Sequence, residues 1–160
     1  SPYGLSQQAD ISVREAAEFI NRYFATYPGF RRYIDETIAF AREKGYVRTI
    51  LGRRRPIPDI DSSTQFRREG AERIAINTPI QGTAADLVKI AMIDIQREID
   101  EKNYGGRMIL QVHDELVFEV PVDEKERFGA MVREKMENAL ELSVPIVVDM
   151  GWGADWGEAH

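Results

Sequence analysis

Apolar side chains recur every three or four positions near the start of the chain. Ser12 and Glu15 have the spacing of a capping box, and the apolar residues between positions 16 and 24 follow at helical intervals. In a capping box, each of the two side chains accepts a hydrogen bond from the other residue's backbone amide. The pattern therefore predicts a helix over about residues 13–26.

A second helix and a small hairpin are predicted after a break at Pro28. Apolar positions predict the helix over about residues 30–44, and Gly45 ends it. Two short apolar segments, 46–51 and 56–60, then flank three consecutive arginines. This arrangement predicts a β-hairpin with a basic tip.

The longest helical pattern begins at Arg67 and contains a restart signal. Thr78 is a suitable N-cap, Pro79 suits the first helical position and Gln81 suits the third. We therefore expect two helices here, the second of which extends to about Lys102. Because it is apolar on more than one side, this second helix is predicted to be buried.

Two strands follow a pair of glycines. The pattern predicts strands over about residues 108–113 and 116–120, joined by a turn at residues 114–115. A helix over about residues 123–142 and a final strand over about residues 146–150 complete the chain. This order of elements predicts an α+β fold in which helices pack on a small antiparallel sheet.

Strand alternation assigns each side chain of the first strand to a face. Met108, Leu110 and Val112 are expected to share one face, while Gln111 and His113 project together from the other. The polar face would lead directly into the turn.

The turn supplies carboxylates, but too few for a complete metal centre. Asp114 and Glu115 offer the oxygen ligands that Mg²⁺ prefers, although adjacent side chains diverge at a turn. A two-metal site holds its ions about 3.5 to 4 Å apart and would need a further acid from elsewhere. By itself, the triplet with His113 favours an ordinary surface turn. A zinc site is excluded because it needs several histidines, and the chain contains only two.

Composition limits the class of protein. With 160 residues and 43% hydrophobic content, the chain is long enough for one buried core. It has no cysteine, which excludes disulfides, thiolate metal sites and a cysteine nucleophile. Neither a membrane-spanning apolar run nor a leader is visible, so we expect an intracellular protein without a membrane partner.

Charge is segregated along the chain. The net charge is -6, yet residues 42–73 contain nine basic and five acidic side chains, a local charge of +4. The remaining residues carry 12 basic and 22 acidic side chains, or -10. Charge alone favours a solvated surface, but the basic band keeps a nucleic-acid partner open despite the acidic total.

Three segments together resemble family A DNA polymerases, the bacterial DNA polymerase I type. Residues 111–115, Gln-Val-His-Asp-Glu, resemble the third sequence motif of that family. Residues 52–59 are similar to its G-R-R-x-x-x-P-D segment, and residues 72–86 to its E-R-x-x-x-N-x-P-x-Q-G segment and the alanines that follow. Order and spacing agree along the chain. An unrelated α+β domain would have to match three motifs in the correct order by chance.

The resemblance implies a site for template-directed DNA synthesis by nucleotidyl transfer. Asp114 would be the metal-binding aspartate, Glu115 an auxiliary acid and His113 a residue at the primer terminus. The implied cofactor is Mg²⁺, with two ions in the complete enzyme that Mn²⁺ can replace. The implied partners are primer-template DNA and deoxynucleoside triphosphates. The side chains implied to face the minor groove are Arg73, Asn77, Gln81 and Gln111, and those implied to contact phosphates are Arg53, Arg54, Arg55, Arg67 and Arg68.

Helical spacing bears on three of these residues. Arg73, Asn77 and Gln81 are four positions apart and would share roughly one face if the helix continues through Pro79. Donor side chains of this kind can contact the minor-groove acceptors that every base pair presents. In the competing interpretation, Gln81 only completes a capping box at the helix restart.

The resemblance also implies a division of the chain. Residues 1–66 would form the C-terminal part of the fingers subdomain, and residues 67–160 the C-terminal part of the palm. Tyr3-Gly4 resembles an aromatic-Gly pair downstream of the family's nucleotide-binding helix, so that helix and a second metal-binding aspartate are expected to precede the chain. With half of the metal site, the isolated chain is expected to be inactive.

Two further expectations follow. The parent protein is expected in the bacterial cytoplasm, associated with the nucleoid. A different class of function also stays open, in which the chain is a non-catalytic DNA-binding or self-associating module that exposes an apolar palm surface.

Overall fold

The structure, a computed structural model, describes residues 2–159. It divides into two compact units, Ser1–Pro79 and Ile80–His160. The helices are α1 (Pro2–Ala9), α2 (Val13–Thr26), α3 (Pro28–Lys44), α4 (Gln65–Lys102), α5 (Lys125–Glu137) and α6 (Trp156–Ala159), and a short 3-10 helix spans Val122–Glu124. The strands are β1 (Tyr46–Arg48), β2 (Arg54–Pro56), β3 (Arg107–Val112) and β4 (Glu115–Glu119). No helix described over these residues is long and apolar enough to cross a membrane.

Local signals determine the ends of the early helices. The Ser12 hydroxyl accepts a hydrogen bond from the Glu15 amide at 3.2 Å, and the Glu15 carboxylate accepts one from the Ser12 amide at 2.9 Å. This capping box begins α2 where it was predicted. Helix α3 begins two residues earlier than predicted, because Pro28 occupies its first turn, where a missing backbone N–H costs nothing. Gly45, with a φ of 73°, ends α3 in the left-handed region.

The first hairpin pairs β1 with β2 in antiparallel register, with Arg48 opposite Arg54. The predicted second strand over residues 56–60 is wrong, since β2 begins at Arg54 and places two of the three arginines in the strand. The reason is a tight turn: the Gly52 amide donates to the Thr49 carbonyl at 2.9 Å, and Gly52 has a φ of 86°. This turn closes the hairpin early and fixes its register.

The first unit has a small core beneath this hairpin. Val47 and Ile57 are almost fully buried beside Ala75 of α4. The Tyr33 hydroxyl donates to the Ile76 carbonyl at 2.7 Å, which joins α3 to α4. The buried cluster consists of Ala41, Val47, Ile57, Ile60, Ala71 and Ala75.

Helix α4 is continuous, and the predicted restart is wrong. Pro79 lies inside the helix, and the Thr78 hydroxyl donates to the Ile74 carbonyl at 2.6 Å instead of capping a new helix. A proline in a helix removes one backbone donor, so local preference favours a break. Here the turn before Pro79 is held by the burial of Ala71 and Ala75, and packing overrides the local signal.

The second unit has its own core, formed where α4 and α5 pack on the β3–β4 hairpin. Phe128, only 1% exposed, contacts the Phe118 and Tyr104 rings edge-on with centroids 5.4 and 5.6 Å away. The second half of α4, which was predicted to be buried, is buried on one side only, because Ile95 is fully buried whereas Ile93 is 59% exposed. The buried residues are Ala91, Ile95, Ile99, Phe128, Met131 and Val132.

The β3–β4 hairpin contains a bulge that the alternating pattern did not reveal. Met108 pairs with Phe118, but Leu110 pairs with Val117, so the register shifts between Met108 and Leu110. Successive residues of β4 face opposite ways, which puts Met108 and Leu110 on opposite faces. The predicted shared face is therefore wrong: Met108 packs against the core, whereas Leu110 is 46% exposed.

Two elements near the end of the chain also differ from expectation. The predicted helix over residues 123–142 ends at Glu137, because Asn138 leaves the helical region and bonds to the Glu134 carbonyl through both its backbone and its side-chain nitrogen. The predicted strand over residues 146–150 is absent from the described residues. The Val148 amide donates to the Glu137 carboxylate at 3.2 Å instead of to a neighbouring strand. The predicted fold class is nevertheless confirmed, with two small antiparallel sheets.

Candidate functional site: the β3–β4 turn and the polar side chains of α4

The turn between β3 and β4 consists of His113 and Asp114. The predicted turn lay one residue later, but Glu115 is the first residue of β4 and pairs with Val112. His113 has a φ of 53°, in the left-handed region that histidine enters more readily than most non-glycine residues. The Gln111 side-chain amide donates to the His113 carbonyl at 2.9 Å. This hydrogen bond from Gln111, near the end of β3, stabilises the turn.

Asp114 is presented to solvent at the outermost point of this hairpin. Its carboxylate is exposed and makes no hydrogen bond or ion pair within residues 2–159. A carboxylate held at a turn between two paired strands has the chemistry that a hard cation such as Mg²⁺ requires. Asp114 is therefore the side chain of the turn best suited to hold a metal.

The acidic groups of this turn would form only part of a metal site. Glu115 is exposed beside Asp114, but the described residues contain no cluster of three or more His, Cys, Asp or Glu side chains able to hold an ion. The donor chemistry fits Mg²⁺, but the number of donors does not complete its coordination.

Helix α4 presents the predicted minor-groove residues at regular spacing. Arg73 and Asn77 lie on successive turns in the first unit, and Gln81 follows four residues later in the same helix. All three are exposed, and their side chains make no hydrogen bond or ion pair within the described part of the chain. Since α4 does not restart at Thr78, Gln81 is not part of a capping box and its amide remains available.

The predicted phosphate contacts differ in how far they are already engaged. Arg67 is exposed at the start of α4, whereas Arg68 is partly buried and donates to the Ser62 carbonyl at 2.9 Å. Arg55 reaches the Thr78 hydroxyl at 3.4 Å. Arg54 lies over the Tyr46 ring, and Arg53 is exposed at the end of the turn.

Part of the basic band is neutralised internally. Arg42 forms a 2.6 Å ion pair with Glu72 and also approaches Asp61 at 4.0 Å. Lys44 pairs with Glu43 at 2.6 Å, and this hydrogen bond raises the pKa of the lysine. The positive charge that remains outward-facing is consequently carried by arginines of the hairpin and of α4.

Sequence reasoning missed the position of Arg48. Arg48 is exposed in β1 directly opposite Arg54, and its guanidinium lies over the Phe40 ring. The signal was present in the sequence as Tyr46 and Arg48 two residues apart, which places them on one face of a strand. It could not be used because the second strand was predicted two residues too late.

An ion-pair cluster centred on Glu98 lies between α4 and α5 in the second unit. Glu98 of α4 binds Lys102 and also Lys135 of α5, the latter at 3.2 Å. The hydrogen bond from Lys102, then that from Lys135, lowers the pKa of Glu98. The Lys135–Glu98 ion pair therefore joins α5 to α4.

Comparison with known proteins gives one consistent result. Residues 1–158 match the family model described as DNA polymerase family A. The chain is 50% identical over 159 residues to DNA polymerase I of Mycobacterium bovis and, over the same length, to DNA polymerase I of Bacillus caldotenax. Each alignment covers 99% of this chain but 18% of the relative, so the chain spans about a fifth of the length of these curated relatives.

A solved structure agrees with the sequence relatives. The polymerase domain of Pol1 from M. smegmatis, in complex with DNA primer-template and dNTP, superposes with a TM-score of 0.95 at 46% identity. The match covers 99% of this chain and 28% of that one. The chain belongs to DNA polymerase family A.

Proposed function

We propose that this chain is part of a DNA-directed DNA polymerase that adds deoxynucleotides to a primer by nucleotidyl transfer. The observation that carries the proposal is Asp114, an exposed carboxylate on the turn of the β3–β4 hairpin that has no partner among residues 2–159. About half of the chain's residues are identical to those of bacterial DNA polymerase I over nearly its whole length. The Pol1 relative was solved with primer-template and dNTP, which supports the same partners for this chain.

The turn would provide half of the metal site. Asp114 would hold Mg²⁺, or Mn²⁺ in its place, while Glu115 acts as an auxiliary acid beside it. The bound metal supplies neutralisation of the charge that develops on the phosphates during transfer. Because the described residues lack a cluster of three ligands, the remaining carboxylate would come from outside this chain. The isolated chain is then inactive.

The exposed polar side chains would position the primer-template. Arg73, Asn77 and Gln81 repeat at the spacing that puts side chains on one side of a helix. The minor groove offers acceptors at every base pair, so these donors can contact it without selecting a sequence. In the second unit, Gln111 would contact the minor groove and His113 would lie at the primer terminus.

Arginines of the first unit would bind the phosphate backbone. Arg67 and Arg53 are exposed, and Arg54 is held over an aromatic ring with its donor edge free to reach an anion. Arg68 would contribute less, since one of its donors already binds the Ser62 carbonyl. Binding through these residues weakens as salt rises, because each phosphate contact releases counterions.

The subdomain division and the cellular location follow from the same proposal. Residues 1–66 would belong to the fingers and residues 67–160 to the palm. The relatives named above are bacterial, which supports a role in the bacterial cytoplasm in association with the nucleoid.

A chimera tests the proposed activity. The matching segment of the Bacillus caldotenax enzyme is replaced by this chain, and primer extension is measured on a defined template. We expect extension that depends on the template and on a divalent cation. A chimera that folds and binds primer-template but adds no nucleotide would contradict the proposal.

A second candidate function is supported by exposed apolar surface in the second unit. Ile93 and Ile109 are 59% and 50% exposed, and a groove of about 660 Å³ lies between Ile93 and Met108. Apolar surface of this kind favours self-association of the isolated chain. Light scattering distinguishes the cases, since a monomer at all concentrations would eliminate the assembly module.

A further inference from the structure

The outward face of the β1–β2 hairpin places two arginines side by side. Arg48 and Arg54 are register partners. The Ile57 amide donates to the Gly45 carbonyl and the Thr49 amide donates to the Arg53 carbonyl, each at 2.9 Å. These two bonds mark hydrogen-bonded residue pairs, and such pairs recur at every second position of an antiparallel ladder. The alternation of an antiparallel ladder then makes Arg48 and Arg54 a non-hydrogen-bonded pair, in which opposite Cα atoms are only about 4.5 Å apart.

Each of these arginines rests on an aromatic ring. The Arg48 Cζ atom lies 5.7 Å from the centroid of Phe40, and the Arg54 Cζ atom lies 4.7 Å from that of Tyr46. The two rings also contact each other, with centroids 5.7 Å apart and planes at 89°. A ring beneath a guanidinium fixes its orientation while leaving the N–H groups at its edge available.

The pair carries no compensating acid. Both arginines are exposed, and neither forms an ion pair within the part of the chain that the structure describes. This contrasts with Arg42 in the same band, which binds Glu72 at 2.6 Å. Like charges directly opposite each other in a sheet are unfavourable, so this arrangement becomes favourable when an anion lies between the two guanidinium groups.

We propose that Arg48 and Arg54 form a clamp that binds one phosphate group of a nucleic-acid backbone. Guanidinium groups present paired N–H donors whose geometry matches phosphate oxygens, and two of them can share one phosphate. The clamp rests on the proposed DNA-binding function and adds Arg48 to it. Free inorganic phosphate has the same chemistry, and the experiment below separates it from a backbone phosphate.

The clamp is tested by a double-mutant cycle on the affinity of the 160-residue chain for primer-template DNA. The variants are Arg48→Gln, Arg54→Gln and the double substitution, with Arg22→Gln as the control. Arg22 is likewise exposed and without an ion pair within residues 2–159, and its loss changes the net charge equally. Circular dichroism confirms that each variant is folded.

We expect each single substitution to weaken binding about tenfold, as for loss of a hydrogen bond to a charged group, while the control is unchanged. Because both arginines bind one phosphate, the double variant should lose less than the product of the two single losses. In the double variant, the slope of the logarithm of DNA affinity against the logarithm of salt concentration should fall in magnitude by about one. If the double variant loses the product of the two single losses in affinity and this slope falls by about two, the arginines bind separate phosphates and the clamp is overturned.

Inorganic phosphate provides the second arm. At matched ionic strength, replacing chloride by phosphate should leave DNA binding nearly unchanged if the clamp needs a backbone. If phosphate instead raises the melting temperature of the wild type but not of Arg48→Gln, and all variants bind DNA equally, the site binds free phosphate and the nucleic-acid clamp is overturned.

The outcomes also separate the clamp from the function on which it rests. A wild-type chain that does not bind primer-template overturns both. A wild-type chain that binds it, with affinity unaffected by Arg48→Gln and Arg54→Gln, overturns the clamp alone.

Discussion

The Gln111 side chain donates a hydrogen bond to the His113 carbonyl at 2.9 Å, across the base of the turn that presents Asp114. His113 itself has a φ of 53°. The side-chain bond and the unusual backbone conformation therefore act on the same two-residue turn. Both features concern the backbone of the residue directly before Asp114.

The backbone conformation of His113 yields a stability prediction. Glycine adopts a positive φ without penalty, whereas a β-branched residue resists it. We expect His113→Gly to be as stable as the wild type or more stable by up to about 1 kcal/mol, and His113→Val to lose about 1 to 2 kcal/mol. Urea unfolding of the chain measures both. Equal stability of the two variants would show that the left-handed turn is not maintained.

Two glycines provide a matched test of packing in the two units. A Cβ atom on Gly106 would clash with the buried Phe128 ring, whereas one on Gly70 of α4 would meet nothing closer than 3.9 Å. We expect Gly106→Ala to destabilise the chain by about 1 to 3 kcal/mol through overpacking. Gly70→Ala should instead stabilise it by about 0.5 to 1 kcal/mol, because alanine favours the helix.

The same urea titration distinguishes these two effects. Loss of stability in Gly70→Ala, or a neutral Gly106→Ala, would contradict the described environments of the two residues.

Glu98 makes stability depend on pH. Its pKa is lowered in the folded chain by hydrogen bonds from Lys102 and Lys135, relative to an ordinary value of 4.5. The stabilisation is therefore fully present above pH 4.5 and is lost as the pH falls through the lowered folded-state pKa. We expect Glu98→Gln to melt below the wild type at neutral pH and to approach it in acid.

Glu101→Gln is the control for this titration, since Glu101 lies exposed on the same helix without an ion pair in the described chain. A difference between Glu98→Gln and wild type that persists undiminished in acid would show that the carboxylate charge is not responsible.

The sequence predicted best those features that depend on neighbouring residues. Ser12 and Glu15 contact each other within one turn, so the start of α2 follows from local chemistry. Pro79 carries an equally clear local signal, but the burial of Ala71 and Ala75 keeps α4 continuous through it. Long-range packing decided that element, and a local pattern contains no information about it.

The candidate site shows the same contrast between features set by neighbouring residues and features set by long-range pairing. The residue types around Asp114 located the turn to within one residue, and together with residues 52–59 and 72–86 they identified the family that the chain resembles. The pairing of Arg48 with Arg54 depends on cross-strand register, which the Gly52 turn sets. An error of two residues in the position of β2 was sufficient to hide it.

We propose that the β3–β4 turn contributes a metal-binding carboxylate to nucleotidyl transfer. The most direct test of this role is single-turnover primer extension by the chimera carrying Asp114→Asn, compared with Asp123→Asn, which removes another exposed carboxylate from the same unit. We expect Asp114→Asn to slow extension about a thousandfold at unchanged DNA affinity, since metal stabilisation contributes several kcal/mol. Asp123→Asn should extend primers at the rate of the unsubstituted chimera. An Asp114→Asn chimera that matches that rate would contradict the metal-binding role of Asp114.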